Sequence, residues 1–234
     1  MIEKLILFDI DGTLVLTGGA GKRGMTRAFD EVFAVPDAFA AIELAGRTDT
    51  SILADAFAQH DLRVPPDGVE RFRIRYLECL RDEVVRATSG KRVLPGISAL
   101  LEALQPRVDS LLALLTGNFA EAAEVKLGHF DLWRYFQCGA FGEDAHDRNH
   151  LVPIALDRAR AHGLPSHVAA DRVVIVGDTP RDVACARAHG ARVVAVATGE
   201  YSVEDLQRAG ADLVFEDLSD TPAVLAALNG ARHR

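Results

Sequence analysis

Six short apolar runs punctuate the chain, at residues 4–8, 111–115, 137–141, 173–177, 192–196 and 212–215. From the second onward, a stretch with apolar residues at helical spacing fills each gap. "SALLEALQ" comes just before the second run, "NHLVPIALDRARAHG" lies between the third and fourth, and "DVACARAHG" follows the fourth with Gly190 placed to stop it. Strands that alternate with helices cannot be joined by hairpins, so this pattern predicts a parallel α/β sheet with crossover helices. Hydrophobic residues make up 49% of the 234 residues, enough for a large packed core.

About a hundred residues separate the first run from the second, far more than one crossover needs, and no strand-like run lies among them. Instead "KRGMTRAFDEVFAV", "TSILADAFAQHDL" and "GVERFRIRYLECLRDEVVRA" carry apolar residues at three- and four-residue intervals. They predict a helical domain inserted at residues 17–91, with residues 1–16 and 92–234 forming the α/β core. Gly18, Gly19 and Gly21 on one side and "SGKRVLPG" on the other are the expected hinges.

Composition narrows the functional classes. A formal charge of −8 argues against a general nucleic-acid binder, which needs a basic face to meet phosphates. Cys79, Cys138 and Cys185 are odd in number, widely spaced and without a CxxC pair, so neither a disulfide framework nor a structural zinc site is expected. Acidic residues at positions 3 and 9 interrupt any leader-like apolar stretch, and no run approaches membrane-spanning length, so a cytoplasmic protein is expected.

In a parallel sheet, ligands bind where the carboxyl ends of the strands open onto loops and helix N-termini. The first run leaves Asp9 and Asp11 at that edge. The second leaves Thr116, Gly117 and Asn118, the third leads to "GEDAHDRN", and the fourth leaves "GDTPRD" with Asp178 and Asp182. Asp9 and Asp11, two apart on extended backbone, point to one side. Joined by Asp178 and Asp182 they would repel one another unless a cation intervened, and oxygen-only ligands beside a phosphate favour magnesium. One carboxylate facing the substrate can attack phosphorus while the other protonates the leaving oxygen. Asp9 is therefore expected as nucleophile, and Asp11 as general acid and later base. The Thr116 hydroxyl and the backbone N–H groups of Gly117 and Asn118 are expected to hold phosphoryl oxygens.

The segments "FDIDGTLV", "LLTGN" and "VIVGDTPRDV", in that order with a helical insertion after the first, resemble the haloacid-dehalogenase superfamily, particularly its phosphoglycolate-phosphatase-like branch. The resemblance covers essentially the whole chain. It implies a Rossmann-like core with the first strand central, flanked by the second and fourth, under a mobile helical cap. It implies magnesium held by Asp9, the backbone carbonyl of Asp11, and Asp178, with Asp182 in support. The family's third motif is a basic residue, usually lysine, that neutralises the nucleophile and the phosphoryl group. No lysine stands there in this chain. Arg148 in "HDRNHLV" is near the place, and Lys126 in "EVKLGHF" is the alternative, as the only lysine after residue 91.

Other motifs carry weaker readings. "GGAGKRG" fails as a phosphate-binding P-loop, because Leu16 stands where its first glycine belongs and Arg23 replaces the Ser or Thr. His146 and His150 are spaced to share a metal but fit a solvated helix start better, and "RFRIRY" reads as a solvated face with Phe72 and Tyr76 turned inward. In "GRTD", the family's cap loop implies that Arg47 or Thr48 reaches the leaving group, while Thr48 or Asp49 equally suits the cap of the helix that follows.

Together these features predict a magnesium-dependent phosphatase acting on a small phosphorylated metabolite, with no nucleic-acid or membrane partner, as a monomer or homodimer. A β-phosphoglucomutase-like phosphomutase shares every core motif. A non-catalytic phosphate-binding regulator is the alternative from another class. Dehalogenation is disfavoured by Asp11, since that reaction needs no acid for its leaving group.

Overall fold

The computed structural model describes residues 1–230, so the last four residues of the expected core segment lie outside the described residues. The chain opens with β1 (Lys4–Phe8), a short β2 (Val15–Leu16) and three helices, α1 (Ala20–Phe33), α2 (Asp49–Gln59) and α3 (Gly68–Val85). It returns through β3 (Arg92–Val93) and α4 (Ile97–Leu104) to β4 (Ser110–Leu115), α5 (Ala120–His129), β5 (Cys138–Ala140) and α6 (Leu151–Ala161). Strands β6 (Val173–Gly177), β7 (Arg192–Val196) and β8 (Leu213–Phe215) then alternate with α7 (Pro180–Ala188), α8 (Val203–Ala209) and the final α9 (Thr221–Leu228).

The main sheet has six parallel strands in the order β5-β4-β1-β6-β7-β8. It is a Rossmann-like α/β core, as its alternating pattern predicts. All five residues of β1 are buried, because helices cover both faces of a parallel sheet. Ile6 and Phe8 pack with α4, α5 and α9, while Leu5 and Leu7 pack with α6 and α7. Phe8 stands in register with Leu114 on one side and Val176 on the other, so the chain leaves all three central strands at one level. Strands are added on one side of β1 up to β5 and on the other side from β6, which makes its carboxyl end the switch point of the sheet.

Helices α1, α2 and α3 bury a separate cluster around Phe29, Phe39, Phe57 and Phe72, with the Phe29 and Phe39 rings edge-on at 5.4 Å. Phe119 and Ala122 join that cluster from the core side, so the insertion packs on the first turn of α5. The sequence pattern missed one connection: β2 and β3 pair antiparallel as a ribbon at the base of the insertion. Strands two residues long carry no readable period. Gly18 and Gly19 have positive φ and act as linker, whereas Gly21, expected with them as a hinge, lies inside α1. Among the described residues no helix is long and apolar enough to cross a membrane.

Candidate active site

Asp9 extends β1 by one rung, its N–H donating to the Val176 carbonyl at 2.9 Å, and its side chain is buried at the carboxyl edge. The chain then turns sharply at Gly12, φ 85°, whose N–H donates to the Val15 carbonyl. The turn brings Thr13 back to donate from its hydroxyl to Asp178 Oδ1 at 3.0 Å. Gly12 and Gly199 close on Asp178 from two sides, and a Cβ on either would overlap its carboxylate. Asp182 comes from the first turn of α7, where it forms a capping box with Thr179: its Oδ2 accepts from the Thr179 N–H at 3.0 Å and hydroxyl at 2.8 Å.

One oxygen from each of Asp9, Asp178 and Asp182 lies within 4.8 Å of the others, and all three residues are buried. Burial pushes the Asp9 carboxyl up to about 6, with Arg148 opposing and Asp182 adding to the rise. Burial and the charges of Asp9 and Asp182 hold Asp178 well above the usual carboxylate range. Three oxygen donors short of positive charge, at a strand edge with no nitrogen or sulfur ligand among them, suit a hard divalent cation. Asp11 departs from the expected cluster: its carboxylate lies outside the trio.

The two basic residues that the sequence offers as alternatives serve different carboxylates. Arg148, buried in a single 3₁₀ turn before α6, donates from one nitrogen to Asp182 Oδ1 at 2.6 Å and to the Leu115 carbonyl at 2.9 Å. The same nitrogen stands 3.3 Å from Asp9 Oδ1. Lys126, buried on α5, donates to Asp11 Oδ2 and to Asn118 Oδ1, both at 2.6 Å. Asn118 in turn donates from Nδ2 to Asp11 Oδ2 at 2.9 Å and to the Thr116 hydroxyl at 2.8 Å. Thr116, Asn118 and Lys126 thus form one chain of hydrogen bonds that ends on Asp11.

The loop before α2 closes over this edge. Thr48, expected to reach a leaving group or to cap α2, does the second: its oxygen accepts from the Ser51 N–H at 3.2 Å and donates to the His146 carbonyl at 2.8 Å. Arg47 borders the cavity, but its guanidinium pairs with Asp55 at 2.7 Å and donates to the Ser51 carbonyl. Asp49, which its spacing marks only as a candidate helix cap, has a wider part. Its N–H donates to the Gly117 carbonyl at 2.7 Å, and its Oδ2 accepts from the Phe119 N–H at 2.9 Å, at the start of α5. A carboxylate of the insertion therefore caps a core helix, a long-range pairing that local spacing does not encode. Burial pushes its carboxyl up to about 7, against the pull of Lys126 and the Phe119 N–H. Beneath the loop lies a cavity of about 510 Å³, with Asp9, Asp11 and Lys126 in its floor and Met25, Ile52 and Tyr76 in its roof.

A carboxyl group whose folded-state affinity for protons exceeds its unfolded one stabilises the fold at low pH and loses that contribution as pH rises through about 7. Asp49→Asn should therefore gain stability relative to the parent between pH 5 and pH 8, by on the order of 1–3 kcal/mol. Thermal melts across that range check it; a difference that stays flat with pH would contradict it. At Gly117 a Cβ would overlap the Arg47 carbonyl, so Gly117→Ala should lift the loop. Faster amide hydrogen exchange at Asp49 and Phe119, with the sheet amides unchanged, is the expected result.

Comparison with known proteins agrees with this architecture. A family model described as haloacid dehalogenase-like hydrolase matches residues 6–196. The phosphoglycolate phosphatase of Rhodospirillum rubrum is 32% identical over 221 residues, covering 93% of this chain and 89% of the relative. Among solved structures, a hydrolase from Pseudomonas syringae aligns with a TM-score of 0.67 at 21% identity, covering 96% of this chain and 98% of its own. CbbY from Rhodobacter sphaeroides, solved in complex with phosphate, aligns with a TM-score of 0.68 at 19% identity, covering 94% and 96%. By the extent of the family match and the identity to a phosphatase over nearly its full length, the chain belongs to the haloacid dehalogenase-like hydrolases and is a phosphoric monoester hydrolase of that family.

Proposed function

We propose that this enzyme hydrolyses a small phosphomonoester in two steps through an aspartyl phosphate on Asp9, with magnesium as its cofactor. The observation that carries the reading is the buried trio of Asp9, Asp178 and Asp182, with the Arg148 guanidinium set against its nucleophilic member. Asp9, Asp178 and the backbone carbonyl of Asp11 would hold the magnesium ion, with Asp182 in support. When bound, the ion supplies positive charge that offsets the carboxylates and the phosphoryl oxygens.

The roles of the side chains follow from their partners. In the first step an oxygen of Asp9 forms a bond to phosphorus as the bond from phosphorus to the ester oxygen breaks, and the departing alkoxide takes a proton from Asp11. In the second step Asp11, now a carboxylate, removes a proton from water. The hydroxide bonds to phosphorus, the bond to Asp9 breaks with its electrons returning to the carboxylate, and inorganic phosphate leaves. Arg148 takes the third-motif role, holding Asp9 in place and countering charge on the phosphoryl group. Lys126 acts elsewhere, fixing Asp11 together with Asn118 outside the trio, where that carboxyl is free to exchange protons with the leaving group. The Thr116 hydroxyl and the N–H groups of Gly117 and Asn118 receive the phosphoryl oxygens. Residues 17–91 act as a cap that opens for exchange and closes to exclude water.

Purified protein with magnesium should release phosphate from small phosphomonoesters, and chelation should stop the release. Asp9→Asn should abolish turnover with circular dichroism unchanged. Asp11→Asn should slow it by about 10²–10⁴-fold, the usual worth of a positioned acid and base. Turnover that survives Asp9→Asn would refute the covalent route.

A further inference from the structure

The roof of the cavity carries a signal about the leaving group that the catalytic floor does not. Met25 from α1, Leu44 from the loop before α2, Ile52 from α2 and Tyr76 from α3 all face the same space, opposite Asp9 and Asp11. At about 30 Å³ per water molecule, 510 Å³ holds roughly 17 waters, several times what a phosphoryl group with a two-carbon alcohol requires. The cavity has this size with the loop docked on Gly117 and on the His146 carbonyl.

The charges of the roof point the same way. A leaving group that carries a carboxylate needs an uncommitted cation near its far end. Lys126 is buried and bound to Asp11 and Asn118, and Arg47 is bound to Asp55 and the Ser51 carbonyl. Lys22 borders the cavity, but at an exposed position on the rim. What the interior of the roof offers besides apolar surface is the Asp49 carboxylate and the Tyr76 hydroxyl. Both suit the hydroxyl of a neutral alcohol.

We infer that the leaving group is a neutral alcohol with an apolar or aromatic body of six or more carbons, seated against Met25, Leu44, Ile52 and Tyr76. A short carboxylated alcohol such as glycolate does not fit this roof. The inference rests on the phosphatase reading above and deepens it by naming the substrate class.

Three esters of primary alcohols, whose leaving oxygens are similarly basic, separate this from the chemistry: benzyl phosphate, ethyl phosphate and 2-phosphoglycolate. With magnesium present, kcat/KM for benzyl phosphate should exceed that of both others at least tenfold. Leu44 is half-buried in a loop and packs against the insertion's core, so the melting curve of Leu44→Asp is checked first; the substitution should cut the benzyl-to-ethyl ratio at least fivefold. Ile52→Ala should cut it in the same direction; because Ile52 is fully buried, its melting curve is checked first. A kcat/KM for 2-phosphoglycolate or ethyl phosphate equal to or above that of benzyl phosphate overturns the inference while leaving the phosphatase reading standing. So does a ratio that Leu44→Asp leaves unmoved. Failure of all three esters to turn over refutes the phosphatase reading, and the inference falls with it.

Discussion

Three buried carboxylates face one buried guanidinium at the centre of this protein, and most of the surrounding architecture follows from that imbalance. Burying an unpaired carboxylate costs several kcal/mol, so a fold that gathers Asp9, Asp178 and Asp182 needs compensation close at hand. Arg148 supplies part of it by bridging Asp9 and Asp182. Backbone and hydroxyl donors supply more, through the Thr179 capping box and the Thr13 hydroxyl on Asp178. Burial still raises the proton affinities of Asp9 and Asp178 against these partners, and the trio is one that could hold a cation.

A second constraint is steric. Donors and carboxylates this close leave no room for side chains between them, which is why Gly12 and Gly199 flank Asp178 and why Gly117 lies directly beneath the Arg47 carbonyl. At Gly12 the demand is doubled, since the backbone there also needs a positive φ. Beside the apolar contact at α5, the insertion meets the core through a set of directed hydrogen bonds. Asp49 binds the loop at Gly117 and Phe119, Thr48 binds the His146 carbonyl, and Thr50 donates to the Gly142 carbonyl at 2.6 Å. These bonds add to the apolar contact of Phe119 and Ala122 with the insertion's core, so polar and apolar groups share the interface.

These distinctions explain what the sequence did and did not disclose. The strands and crossover helices were legible because burial on both faces of a parallel sheet demands uninterrupted apolar runs, and those runs are local. The ends of those strands, with Asp9, Thr116 and Asp178, were legible for the same reason. The β2–β3 ribbon escaped notice because two residues show no period, and the function of Asp49 escaped because its partners lie some seventy residues away at Gly117 and Phe119. The choice between Arg148 and Lys126 could not be made from spacing either. It turns on which carboxylates each side chain reaches: Arg148 stands between Asp9 and Asp182, and Lys126 binds Asp11.

That division of labour has a chemical rationale. If Asp9 is the nucleophile proposed above, it must stay ionised and keep one orientation, and a planar guanidinium held by the Leu115 carbonyl and Asp182 is a fitting partner for it. In the proposed roles an acid that later serves as base must gain and lose a proton, and the Lys126 ammonium shared between Asp11 and Asn118 holds Asp11 apart from the nucleophile. Because Asn118 also bonds the Thr116 hydroxyl, the position of Asp11 is tied to the loop that receives phosphate. Asp49 fastens the same loop from the insertion, so in the proposed mechanism substrate binding, cap docking and the placing of the acid converge on three consecutive residues, Thr116, Gly117 and Asn118.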